Sequence, residues 1–254
     1  MGLRKQNDKA VFYSDSAYDC EPGFVSPPPQ AGEKQEQILR LSWQLPSGNR
    51  LRGGKEKMAR LLYQGHGSYR ITTDQNTVIY IDPYAGKGYD VPADLVLVSH
   101  EHFDHNHVEL VKLKKDGKIY RSSDLLQKGK YRSFVFKDVK IEATPAYNKN
   151  HPRNECVGFL ISVEHVKIYA AGDTSQTEYM SDRLANEAID YALLPTDGVY
   201  NMGPEGASVC AKIIGAKHSI PIHMKVGALF DEEKAEAFQA DGKMVLRPNT
   251  EISL

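Results

Sequence analysis

Eight consecutive residues, HEHFDHNH from His100 to His107, carry four histidines and two acids directly after the apolar run DLVLVS. If Asp94–Ser99 forms a strand, His100 and His102 follow at its end, two residues apart and able to point to one side. That makes a chelating pair. Asp104 and His105 are adjacent, on a turn or the first residues of a helix, and project in a different direction. One short loop could therefore supply two ligand pairs to two neighbouring metals. Imidazole nitrogen and carboxylate oxygen suit Zn²⁺, Mn²⁺ or Fe²⁺, and the lack of cysteine here argues against a structural thiolate zinc site. The competing reading, a polar helix start with solvated histidines, sits poorly with a buried strand leading into an H-x-H-x-D-H order.

Four side chains are too few for two metals, so further ligands are expected at other strand ends. His151 lies in the polar loop PAYNKNHPRNE, Asp173 ends VKIYAAGD, and His223 ends HSIPIH. All three occupy places where open α/β structures put functional groups.

The elements that must position these residues read from Met58 onward. ARLLYQG, SYRITTD, TVIYIDP and DLVLVSH have the composition of four short strands. HVELVKLKKDG spaces Val108, Leu110, Val111 and Leu113 among charged residues and stops at Gly117, which predicts a helix. A second short helix is expected near SDLLQKG. FVF, VKIEATP, CVGFLIS and VKIYAAGD are strand-like. Helical patterns at TEYMSDRLANEA, PEGASVCAKIIGA and DEEKAEAFQA then alternate with strand-like DYALLP, HSIPIH and KMVLRP. Strands early and helix-strand alternation late predict an α/β domain in which helices cover sheets. No internal repeat is visible.

Residues 1–57 differ from the domain expected over 58–254. SPPPQ, AGEKQEQ and RLRGGKEK are polar or rich in proline and glycine, as in a tail that is disordered or loosely docked. Leu39, Leu41, Trp43 and Leu45 alternate and could form a short docked strand. Gly53-Gly54 could be encoded by a purine-rich ribosome-binding sequence, which makes Met58 a candidate translation start. The chain has 254 residues and a formal net charge of -1, so its overall balance announces neither nucleic acid nor a membrane surface and favours a small-molecule substrate. Self-association into a homo-oligomer is left open. Cys20, Cys156 and Cys210 are few, odd in number and widely spaced, fitting free thiols in a reducing cytoplasm. No apolar run approaches the roughly 18 residues of a membrane span, and the N-terminus has no signal-peptide pattern.

His100-x-His102-x-Asp104-His105, followed by His151, Asp173 in GDT and His223 in PIH, resembles the metallo-β-lactamase fold superfamily in motif type and order, over Met58 to Leu254. IDPY around Asp82, PAYN-x-x-H and the strand-GDT sequence are most similar to its small single-domain metal-dependent hydrolases, the branch related to ascorbate-6-phosphate lactonase. The resemblance implies a four-layer αβ/βα sandwich with a dinuclear site, most in keeping with zinc, at one edge. It implies that His100, His102 and His151 hold the first metal and Asp104, His105 and His223 the second. Asp173 would bridge them, and Asp82 would brace the loop.

Two metals lower the pKa of a shared water from about 15.7 to roughly 7, so a hydroxide is expected to attack carbon or phosphorus while a metal stabilises the developing charge. Asp104 and Asp173 are the expected catalytic carboxylates, Asp104 being one source of the leaving-group proton. His66, in GHGSY, and Asp197, in PTDGVYNMGPEG, are candidate substrate contacts, with Asp197 expected near the mouth beside Tyr200. Tyr147 and Asn148 are expected mainly to pack. His107 should turn away from the metals, His165 and His218 should be structural, and Cys156 should be a buried, inert thiol.

The expected activity is hydrolysis of a small ester, lactone or phosphoester. Phosphodiester cleavage of nucleic acid is the alternative, but no long basic insertion appears in the domain. Thioester cleavage lacks an obvious extra helical domain. Redox use is disfavoured because flavin-linked di-iron relatives generally carry glutamate where this chain has His102. A metal-binding module without turnover is the remaining alternative.

Overall fold

Residues 58–254 are described by a computed structural model. The expectations for the tail, for a strand at Leu39–Leu45, for Cys20 and for the two domain boundaries concern residues 1–57 and lie outside the described part.

The apolar runs after Met58 pair as strands: β1 (Arg60–Gly65), β2 (Ser68–Thr72), β3 (Val78–Ile81), β4 (Ala93–Val98) and β5 (Leu113–Arg121). Side chains alternate between faces, as a strand's period of two requires. Ile79, Ile81, Leu95 and Leu97 point into the main core, whereas Val78, Tyr80, Val96 and Val98 pack on the outer face with Tyr89, Val108 and Val111. β3 and β4 are thus buried on both sides, which explains their unbroken apolar sequence.

After a four-residue helix α1 (Ser122–Leu125) and a hairpin of β6 (Leu126–Gln127) and β7 (Lys130–Tyr131), a second sheet begins. It contains β8 (Ser133–Phe136), β9 (Val139–Pro145), β10 (Val157–Val163), β11 (Val166–Ala170), β12 (Tyr191–Pro195) and β13 (His218–Ile222). Ile141, Phe159, Ile161, Ile168 and Leu193 close on the first sheet's inner face to form the main core. On the opposite face, Leu160, Tyr169, Ala192 and Leu194 pack on Met180 of α2 (Glu178–Asp182) and on Ala207, Cys210 and Ile214 of α3 (Pro204–Ile214). α4 (Glu232–Ala237) follows, its first turn capped by Asp231, which accepts from Lys234 N–H. β14 (Thr250–Ser253) returns to pair with β1. The result is the expected α/β sandwich.

The sheets run β14-β1-β2-β3-β4-β5 and β8-β9-β10-β11-β12-β13. In each, the first three pairings are antiparallel and the last two parallel. The C-terminal ends of the parallel strands carry the polar segments that build the site.

Three local expectations are corrected. HVELVKLKKDG is not a helix: Val108–Leu110 is a single 3-10 turn, and Leu113 opens β5, which pairs parallel with β4. Without β5, one backbone edge of the fully buried β4 would lack partners, and that requirement outweighs the helical spacing. Leu113 and Ile119 then pack on the outer face and Tyr120 on the core. Gly117 marks a register irregularity rather than a helix stop, for a Cβ there would lie 2.8 Å from Ala93 O. KMVLRP makes only one bridge, Lys243 to Ser219, and the missed strand is β14. TEYMSDRLANEA breaks into α2 and a 3-10 turn at Leu184–Asn186.

Candidate metal centre

The polar residues converge because strands from both sheets end at one edge. Asp82 follows β3, His100 to His105 follow β4, His151 lies between β9 and β10, Asp173 follows β11, Asp197 follows β12, and His223 follows β13. Val157 N–H donates to Ser99 O at 3.0 Å, and His223 N–H to His66 O at 2.8 Å, so the two sheets are joined within the site. His66, Asp82 and His223 all have left-handed backbone, with φ of 57°, 45° and 43°. Such conformations persist where surrounding bonds over-determine them.

Hydrogen bonds around the cluster decide which ring nitrogens carry lone pairs. The Asp82 carboxylate accepts from Ser99 N–H at 2.7 Å, Ser99 Oγ at 2.6 Å and His105 Nδ1 at 3.0 Å. Since Ser99 gives its hydroxyl proton to Asp82, its oxygen accepts from His100 Nδ1 at 3.0 Å. Asn148 Oδ1 accepts from His151 Nδ1 at 3.0 Å, its orientation fixed by two backbone N–H donors. His223 Nδ1 lies 3.1 Å from Asp197 Oδ2. Nδ1 of His100, His105 and His151 is thus committed to an acceptor, which leaves each Nε2 its lone pair for the centre, while His223 Nδ1 lies beside Asp197 without a hydrogen bond.

Those lone pairs meet acids and one another. His100 Nε2 lies 3.1 Å from His102 Nδ1, and ligand atoms of His100, His102 and His151 all fall within 4.8 Å of one another. Asp173 Oδ2 is 3.3 Å from His151 Nε2 and 3.4 Å from His223 Nε2, while its Oδ1 is 3.4 Å from His105 Nε2. Asp104 Oδ2 lies 3.6 Å from His223 Nε2. Nε2 of both His105 and His223 is buried with no hydrogen-bond partner. Buried lone pairs facing carboxylates across gaps of this size are what a cation requires: ligand atoms around a tetrahedral zinc lie about 3.3 Å apart. The residues therefore fit divalent metal.

Electrostatics follow from the same packing. Burial, aided by His105, pushes His100 down to about 2, keeping its ring neutral. Burial also lowers His151. Burial opposes ionisation of Asp104 and Asp173, but the surrounding histidines outweigh it and hold both below the ordinary carboxylate range. For His105 and His223 the balance is reversed: burial disfavours charge, yet Asp173 with Asp82 or Asp104 raises both. The centre is a negative field that calls for positive charge at these nitrogens.

The remaining candidates fall at different depths. Asp197, expected at the mouth, is instead fully buried; it accepts from the N–H groups of Val199, Tyr200 and Asn201 and faces His223, which holds it down to about 2 against its burial. Its loop folds over its own aspartate in an Asx-type turn, leaving Tyr200 outside. His66 is also fully buried, 3.1 Å from Asp104 Oδ2. His107 contacts Glu109 away from the centre, His165 is exposed in a hairpin turn, and His218 stacks on Tyr191. Burial raises the Cys156 thiol to about 12, so it is inert as expected. Sequence reasoning did not single out Ser99 or Asn201. Asn201 Nδ2 donates to Asp173 at 2.9 Å and Asp197 at 2.8 Å. A hydroxyl residue just before His100 was the one available signal for Ser99; nothing in the sequence marked Asn201.

Beside His100 and His102 opens a groove lined by Glu101, Ser122, Ser123, Asn154 and Cys156. Phe103 projects from the metal loop, 64% exposed, with its ring against Tyr84.

Comparison with known proteins supplies the family. The family model described as the beta-lactamase superfamily domain matches residues 60–223. A UPF0173 metal-dependent hydrolase from Anoxybacillus flavithermus is 31% identical over 193 residues, covering 65% of this chain and 85% of the relative. One from Saccharolobus solfataricus is 29% identical over 231 residues, covering 78% and 100%. A solved structure from Parabacteroides distasonis, assigned to the metal-dependent hydrolases, superposes with a TM-score of 0.62 at 28% identity and covers 78% of this chain and 98% of that one. The chain belongs to the metallo-β-lactamase superfamily and, within it, to the UPF0173 metal-dependent hydrolases. It is thus a metal-dependent hydrolase with a candidate His/Asp metal site.

Proposed function

We propose that the centre holds two divalent ions, zinc by preference, and hydrolyses a small-molecule ester, lactone or phosphoester in the cytoplasm. His100, His102 and His151 would hold one ion, Asp104, His105 and His223 the other, and Asp173 would serve both. The observation that carries this reading is the placement of Asp173, one carboxylate within 3.3–3.4 Å of His151, His105 and His223. Bound there, two such ions supply Lewis acidity and a water of lowered pKa.

The chain's own residues orient and exclude. Asp82, Ser99, Asn148 and Asp197 fix the imidazoles, so little reorganisation is needed when charge develops. The groove beside His102 offers hydroxyl and amide groups to a polar substrate, and Phe103 offers an apolar contact. Glu101 at the rim pairs with Arg121 at 2.6 Å. Cys156 is protonated and buried, and Ser99 is committed to Asp82 and His100, so neither acts as nucleophile. A net charge of -1 and the small groove favour a small molecule over nucleic acid.

Elemental analysis followed by a panel of lactones, phosphodiesters and thioesters, with and without chelator, tests the proposal. Two ions per chain and chelator-sensitive lactone or phosphoester hydrolysis are expected. Activity surviving complete metal removal would overturn the mechanism. Unchanged metal content in both His102→Ala and Asp173→Ala would overturn the ligand assignment.

A further inference from the structure

His66 is the buried histidine that the ligand assignment leaves over. Its Nδ1 lies 3.0 Å from Ala228 O, a carbonyl that can only accept, so Nδ1 carries the proton. Nε2 then presents a lone pair, and 3.1 Å in front of it is Asp104 Oδ2, which also has only lone pairs to offer. Two acceptors in contact need a cation between them or a second proton on the ring.

The surroundings decide between these. The ring is fully buried and lies 3.8 Å, centroid to centroid, from the His223 ring. Ligand atoms of His66, Asp104, His105 and His223 all fall within 4.8 Å of one another. From Asp104 Oδ2 the separations are 3.1 Å to His66 and 3.6 Å to His223, bracketing the roughly 3.3 Å between ligand atoms of a tetrahedral zinc. A protonated His66 would instead press a like charge against the ion held by the same carboxylate. The left-handed backbone of His66 is pinned by its N–H to Leu229 O at 2.7 Å and by its carbonyl, which accepts from His223 N–H at 2.8 Å and Tyr63 Oη at 2.9 Å. This pinning aims Nε2 inward.

We infer that His66 Nε2 is a ligand of the second metal, making that site one of three imidazoles and Asp104 beside the shared Asp173. This rests on the dinuclear reading. It makes the two sites unequal: the second is lined by three buried imidazoles and the half-buried Asp104, whereas the first includes the exposed His102 and borders the groove. Substrate is therefore taken at the first site, and the second is the tighter.

The test uses the full chain loaded with Zn²⁺ or Co²⁺. In wild type, a two-bond ¹H–¹⁵N spectrum of the zinc form should show His66 as a neutral ring with one protonated nitrogen and the shift of a metal-bound Nε2. His66→Asn, which tolerates the left-handed backbone, should lose at least tenfold in affinity for one of two ions and alter the Co²⁺ visible spectrum. A ring protonated on both nitrogens, or a folded His66→Asn with unchanged affinity and Co²⁺ spectrum, would overturn the inference. Wild type holding a single ion would overturn the dinuclear reading instead. Repeating the substitution in a His102→Ala background, where only the second site remains, judges His66 separately.

Discussion

At the scale of single residues, the proposed metal ligands and the groups behind them have different signatures. The ligands stand out because histidine and aspartate at H-x-H-x-D-H spacing after a strand have few other uses. The groups that aim them do not stand out, since an aspartate, a serine or an asparagine near a strand end is ordinary in any protein. Asp82 serves His105 directly and His100 through Ser99, whereas Asp197 serves only His223. Asp82→Asn would turn an amide N–H toward Ser99 or His105, setting donor against donor. It should therefore weaken binding at both sites, each by about 10–100-fold, whereas Asp197→Asn should weaken one site by a similar factor. Zinc titration calorimetry resolves the two patterns. Equal, single-site losses in both variants would show that Asp82 does not couple the ligand pairs.

At the scale of elements, strands were readable and their partners were not. β3 and β4 announce themselves as apolar runs, and α3 as a pattern from Pro204 to its left-handed glycine cap Gly215. β5 was hidden because its lysine-rich sequence suits an exposed edge strand and equally a solvated helix, and only the open edge of β4 decides between them. β14, short and half-exposed, has too few apolar residues to be seen. Where strands end, backbone geometry becomes specific. Gly172 has φ of 64°, and a Cβ there would lie 2.7 Å from Val157 O. Gly172→Ala should cost at least about 1–2 kcal/mol from the left-handed backbone alone. That lowers the melting temperature by roughly 2–8 °C, and metal should be lost too because Asp173 is the next residue. At the other end of β4, buried Asp94 accepts from Val78 N–H and pairs with Lys114 and Lys137. Burial raises its pKa, but the two lysines outweigh this and lower it. A depressed folded pKa means the contribution is complete above the unfolded value of about 3.9 and is lost as pH falls through the folded one. Acid unfolding of Asp94→Asn should lack part of that low-pH dependence; superimposable pH–stability curves would refute the assignment.

At the scale of the molecule, the two sheets repeat one plan of strand directions although no repeat is visible in the sequence. A sheet constrains its chain through burial and period, which many sequences satisfy, so topology can recur without residue similarity. What the two halves share physically is the edge where their parallel strands end. The first sheet sends His100, His102, Asp104 and His105 there, and the second sends His151, Asp173 and His223. On the proposed ligand assignment neither half holds a complete set, so metal bound there would join the sheets and stabilise the folded chain over an unfolded one that cannot present the set. At a free metal concentration of 100 times Kd, one such site adds about 2.7 kcal/mol. For a domain of this size that corresponds to roughly 5–11 °C in melting temperature. Chelator should therefore lower the melting temperature by about that much per site, zinc should restore it, and Asp173→Ala should abolish most of the response. A melting temperature indifferent to chelator in the wild-type protein would mean that its packed core alone sets the stability, and that the two sheets meet at this edge without needing the ions to hold them.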